Sequence, residues 1–252
     1  METLFALILA FIAGFIDALA GGGGLIQIPG LMLIFPQATP TTILAANKLS
    51  SWSGTLVAIL SLRRKIKLSR TVIIWAAIAS FISAFIGAYL ATLISAQSFR
   101  LVASILLITA IVVSYLASPA TKNTSTKAIS ENHRRYYSLG IGILGGLYDG
   151  FFGPGLGTIL ILLFVTYLSM NFLEASLHAK VLNLLSNGGA LIYFISHGLM
   201  PWQLALPMAA MNIGGSLIGS RMALLRGNRL VKRAVGIMSL AIIAKIASEW
   251  IL

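Results

Sequence analysis

A chain of 252 residues that is 58% hydrophobic and 10% charged, with a mean hydropathy of +0.94, has too little polar residue to clothe a water-soluble domain. Its formal net charge of +12 does not mark a nucleic-acid binder, because 14 of the 18 Lys and Arg residues fall in three clusters between apolar runs, Arg63–Arg70, Lys122–Arg135 and Arg221–Arg233. Cysteine is absent, the three histidines (His133, His178, His197) lack ligand spacing, and no phosphate loop, nucleophile elbow or HExxH motif occurs, so no catalytic constellation, cofactor or metal site is expected.

In chain order, an apolar helix is predicted from Thr3 to Ala20, ending at four glycines, Gly21–Gly24. The stretch Ala18-Leu19-Ala20 has the small residues of a signal-peptide cleavage site, but no basic residue precedes it and Asp17 interrupts the apolar run. A short apolar piece follows, Leu25–Phe35, which Pro29 and Gly30 should weaken. Three spans are predicted next, over Thr41–Leu62, Thr71–Ile94 and Ser98–Leu116. The polar stretch 118–135 is the linker. Beyond it come Tyr136–Phe152, Gly155–Leu168, Phe172–Ser196, Trp202–Leu225 and Leu230–Leu252.

These two series are the same series. A shift of 132 residues overlays the chain on itself without a gap: Asp17 meets Asp149, Gly14 meets Gly146, Gly21 meets Gly153, Gly23 meets Gly155, Lys48 meets Lys180 and Ser51 meets Asn183. Apolar coincidences mean little in so biased a composition, but the chain's two aspartates superpose, and so do two lysines embedded in apolar runs. The reading is a duplication, with repeats at 1–117 and 136–252 joined by the linker 118–135. The basic loop Arg63–Arg70 corresponds to Ser196–Pro201, which has no Lys or Arg, whereas the loop near Gln97, with Arg100, corresponds to the basic stretch Arg221–Arg233. Equivalent loops therefore face opposite sides, and the repeats are inverted. The fold class expected is an all-α polytopic membrane protein of two inverted repeats, each a glycine-broken helical segment plus three transmembrane helices. Residues 63–70, 118–135 and 226–233 are cytoplasmic in this trace, and both termini are extracytoplasmic. Whether each broken segment is a hairpin or two short spans stays open, since the parity is the same.

A helix broken inside a bilayer leaves backbone N–H groups without intrahelical partners, which is tolerated only against protein or a polar cavity. Such an end suits an anion, and glycine lets a ligand approach the backbone. The candidate binding residues are accordingly Gly21, Gly22, Gly23, Gly24, Gln27, Asn47, Lys48 and Ser51 in the first half and Gly153, Gly155, Lys180 and Asn183 in the second. Asp17 and Asp149 have two readings, as caps and counter-ions to the lysines or as proton-responsive groups that couple transport to protons. Ser and Asn near the lysines, including Ser50, Ser186 and Asn187, either line a polar path or bond across helix interfaces, and the small-residue string Asn212–Ser220 reads as close helix packing.

The stretch "AGFIDALAGGGGLIQIPGLM" resembles the N-terminal signature of the TauE/SafE family of membrane transporters, the sulfite exporters. "GGLYDGFFGPGLGTILILLF", "HAKVLNLLSNGGALIYFISHG" and "PMAAMNIGGSLIGSRMA" resemble that family's second half. The resemblance covers nearly the whole chain. One departure is internal: Pro154 stands where the first motif has Gly22, so the two breaks are not equivalent. The resemblance implies a bacterial inner-membrane transporter of a small anion such as sulfite or an organosulfonate. The expected function is secondary transport by alternating access, with lipid as surroundings, protons as a candidate coupling ion and no nucleic-acid partner. An anion channel on the same scaffold is the alternative, and a membrane-embedded enzyme ranks below both.

Overall fold

The computed structural model describes residues 1–62, 68–116 and 130–226. Arg63–Lys67 of the first basic loop, residues 118–129 of the linker, and 227–252 with the expected final span Leu230–Leu252 lie outside the described residues. Within them the chain forms nine helices and no strand: α1 (Glu2–Ala20), α2 (Gly24–Ile34), α3 (Pro40–Leu62), α4 (Arg70–Thr92), α5 (Ala96–Leu116), α6 (Glu131–Phe151), α7 (Leu156–Leu168), α8 (Phe172–Ser196) and α9 (Trp202–Arg226).

Local chemistry sets the starts. Pro40 opens α3, where its missing N–H costs nothing, and the Thr39 hydroxyl accepts the Thr42 N–H at 3.3 Å. Asn171 Oδ1 accepts the Glu174 N–H at 2.9 Å ahead of α8. Helix α6 begins at Glu131, five residues before the expected Tyr136, because Ser130 caps it by accepting from the His133 N–H and Glu131 places an acidic charge in the first turn. Pro29 does not break α2, which continues to Ile34. Gly30 lies against the Leu9 side chain of α1, and this packing supports the helix past its proline.

The distribution of side chains is inside-out relative to a soluble protein. On α4 the inward face is small, with Ala76, Ser80, Ala84, Gly87 and Ala88 buried, while Ile74, Ile78, Ile82, Phe85 and Tyr89 point outward, Ile78 with 58% of its surface exposed. Apolar surface of that kind is matched by lipid, and small inward residues let helix backbones approach. Helices α1, α3 and α4 are each long and apolar enough to cross a membrane. At 25 residues, α8 and α9 are also long enough, at about 38 Å each. Helix α2, with 11 residues, and α7, with 13, reach only about half to two-thirds of the hydrocarbon thickness.

Both broken segments are helical hairpins. Gly23 sits beside Ala13 and Asp17, and Gly30 beside Leu9, so α2 runs back along α1. Gly145 sits beside Leu156 and Leu160, and the rings of Tyr137 and Tyr167 lie 5.5 Å apart, so α7 runs back along α6. Each hairpin packs most extensively on a helix of the other half: α6 against α4, and α1 against α9. Gly14 of α1 meets the Asn212 backbone, and Gly146 of α6 meets the Ser80 backbone. A shift of 132 residues carries the first crossing onto the second. The same holds lower down, where Gly219 meets Phe15 and Gly87 meets Leu147. The halves are thus interleaved, with α3 and α8 packed together between them.

Candidate functional site

The two hairpin tips meet. Gly21, at the tip of the first, touches the backbone of Gly157, while Gly24 lies against Pro154 and Gly155 against Leu25. Gly21 and Gly153, which the shift of 132 residues pairs, have φ of +76° and +100°, a region where a side chain would be strained. Gly21 ends α1 in this left-handed conformation, and its N–H bonds back to the Asp17 carbonyl at 2.8 Å. Gly22 and Gly23 are buried at this junction.

The charged residues join the tips to the helices beside them, crosswise between the halves. Lys48, on α3 of the first half, forms a salt bridge with Asp149 of the second at 2.8 Å and also donates to the Asp149 backbone carbonyl. Lys180, on α8 of the second half, donates to the backbone carbonyl of Asp17 in the first at 2.6 Å. All four are buried, the lysines with 1% and 4% of their surface exposed. The contacts then diverge. Asp149 also accepts from Ser186 Oγ at 2.6 Å. The Asp17 carboxylate instead accepts from the Gly23 N–H at 3.3 Å and from Thr55 Oγ1 at 3.2 Å. It caps its own break, and among the described residues Lys48–Asp149 is the only direct ion pair.

A neutral polar cluster flanks the first tip. Gln27, buried on α2, donates to Ser50 Oγ of α3 at 2.8 Å and receives a long contact from Asn212 of α9 at 3.5 Å. Asn47, one turn before Ser50, is buried with its Oδ1 unpartnered. On α8, Asn187 donates to Asn183 Oδ1 at 3.1 Å while its own Oδ1 is buried without a partner. Ser51 is half-buried and stands outside this network. An orphaned buried amide oxygen costs about 1–3 kcal/mol unless a donor reaches it.

Sequence reasoning listed both aspartates, both lysines and the glycines, which the fold gathers at one junction. It passed over Thr55 as a ligand of Asp17. The available signal was that the repeat shift sets Thr55 against Asn187, polar against polar. The string Asn212–Ser220 does pack closely, with Gly215 and Gly219 against the α1 backbone, though Asn212 also reaches Gln27. His178 has a structural duty: its Nδ1–H donates to the Glu174 carbonyl at 2.8 Å and its Nε2 accepts the Ser69 N–H at 3.0 Å, tying α8 to the start of α4. Among the described residues no group of three His, Asp or Glu could hold a metal ion.

An inside-out helical bundle with buried charges at the meeting point of two helical hairpins defines a polytopic membrane protein with a polar centre, the architecture of a membrane transporter. The chain belongs to the sulfite exporter TauE/SafE family, whose profile matches residues 6–246, as the sequence motifs implied. It is 36% identical over 243 residues to "Probable membrane transporter protein YfcA" of Escherichia coli K12, covering 94% of this chain and 86% of that one. It is 35% identical over 243 residues to a "Probable membrane transporter protein" of Haemophilus influenzae, covering 95% and 92%. It is also 33% identical over 249 residues to "Probable membrane transporter protein ORF9" of a Sinorhizobium species, covering 97% and 92%. No solved structure matches. Membership of this family agrees with a transport function rather than an enzymatic one.

Proposed function

We propose that the chain is a secondary transporter of a small anion, a sulfite, sulfonate or related sulfur oxyanion, in the bacterial inner membrane. It works by alternating access between two inverted repeats, with both termini outside the cytoplasm. The carrying observation is the pair of buried lysines at the junction of two glycine-broken hairpins, each lysine reaching the hairpin of the other half. Cationic charge and closely approachable glycine backbones are groups that replace the hydration shell of a small oxyanion. The family's description as sulfite exporters supports the substrate class. Asp17 and Asp149 keep the site near neutrality when it is empty, which lowers the cost of burying two ammonium groups. The chain has no Walker-type ATP loop, so the energy comes from an ion gradient or from the gradient of the anion itself.

The test is counterflow in proteoliposomes. Vesicles preloaded with unlabelled sulfite should transiently accumulate ³⁵S-sulfite above equilibrium when the purified full-length chain is present. Uptake that is unaffected by preloading and does not saturate identifies a channel and refutes the carrier reading. An absence of flux with sulfite, sulfate and methanesulfonate refutes the anion assignment.

A further inference from the structure

The two crosswise lysine contacts occupy equivalent positions in the repeat but are not equivalent in bonding. Lys48 holds a backbone carbonyl and a carboxylate of Asp149, while among the described residues Lys180 holds only the backbone carbonyl of Asp17. The Asp17 carboxylate is turned to the Gly23 N–H and Thr55, and no carboxylate among the described residues lies within 4.0 Å of the Lys180 ammonium. An ammonium has three donors. A buried cation with one neutral acceptor and no direct counter-ion calls for an anion.

Building on the transport reading above, we propose that Lys180 is the anion-holding cation of this conformation and that Asp149 is an internal stand-in for the substrate. The Asp149 carboxylate oxygen marks, on Lys48, the place where an oxygen of the bound oxyanion sits on Lys180. The same face of α8 continues through Asn183 and Asn187, three and seven residues on, so the lysine stands at the end of a polar stripe. The first half has the same cation but fills it from within the chain. One conformation thus binds one substrate anion, though two lysines are present.

Calorimetric titration of the purified full-length protein with sodium sulfite tests this, with methanesulfonate as the second probe. The wild type should bind one anion per chain. Lys180→Gln should weaken binding at least tenfold, and Lys180→Arg should retain most of it, both with cooperative unfolding transitions. Asp149→Asn should free Lys48 and raise the stoichiometry towards two. Two equivalents in the wild type, or wild-type affinity in Lys180→Gln, overturns the assignment while leaving an anion carrier standing. If Asp149→Asn does not fold, the wild-type stoichiometry and the Lys180 pair still decide the matter. A wild type that binds neither probe overturns this inference together with the transport reading.

Discussion

Replacing Lys48 by Met keeps most of the side chain's volume and removes its charge. It leaves the Asp149 carboxylate buried with Ser186 Oγ at 2.6 Å as its remaining side-chain partner. Removing one member of a buried pair costs about 3–5 kcal/mol, because the other charge stays buried without compensation. For a chain of this size each 1 kcal/mol corresponds to about 2–4 °C, so the melting temperature should fall by roughly 6–20 °C. The double variant Lys48→Met/Asp149→Asn removes both charges and keeps the acceptor for Ser186. It should recover most of the loss, since a neutral pair has no ionic desolvation to offset. Lys180→Met removes a single charged hydrogen bond to a carbonyl, worth about 1.5–3 kcal/mol, and should shift the transition less than Lys48→Met. Thermal unfolding of detergent-purified variants, followed by circular dichroism, reads all of these. If Lys48→Met melts within 2 °C of the wild type, or the double variant is no more stable than the single, the ion pair is not the bond that holds the second hairpin to α3.

Two further outcomes test the packing and the path of the chain. Gly146→Val should cost about 1–3 kcal/mol or more by forcing α6 off α4, since its Cβ would fall on the Ser80 backbone; Gly140→Ala, with nothing within 4 Å, should stabilise α6 by up to about 1 kcal/mol, and thermal shifts of the two must have opposite signs. Because the chain has no cysteine, single cysteines can report its sides unambiguously: Gln37→Cys should react with an impermeant maleimide from outside the cell, and Asn132→Cys only after the membrane is opened. Labelling of both from the same side would refute the proposed inverted arrangement.

The helical class and the hairpin breaks were legible because the residues that set them are rare in this composition. Four consecutive glycines and two aspartates stand out against 58% hydrophobic background, and their recurrence at a fixed shift pairs them. The crosswise bonding was not legible. Sequence places Lys48 near Asp17 and Lys180 near Asp149, whereas the fold joins Lys48 to Asp149 and Lys180 to Asp17. That choice depends on which helices pack, and packing among small residues leaves little periodic signal: α4 buries Ala, Ser and Gly, which are interchangeable to the eye. The start of α6 was missed for a different reason. A polar first turn reads as loop, and only the Ser130 cap reveals the helix.

The interleaving of the halves also bears on how the protein is made. The Asp17 carbonyl and its lysine are 163 residues apart, and Gly14 packs against Asn212. At about 5–20 residues per second, a ribosome needs roughly 8–30 s after making Asp17 to complete Lys180. For most of that interval α1 has left the ribosome with its Asp17 carbonyl short of its lysine and its glycine notches and open tip lacking their mates. The first half is therefore a nascent client that the insertion machinery must shelter until the second half arrives to clasp it.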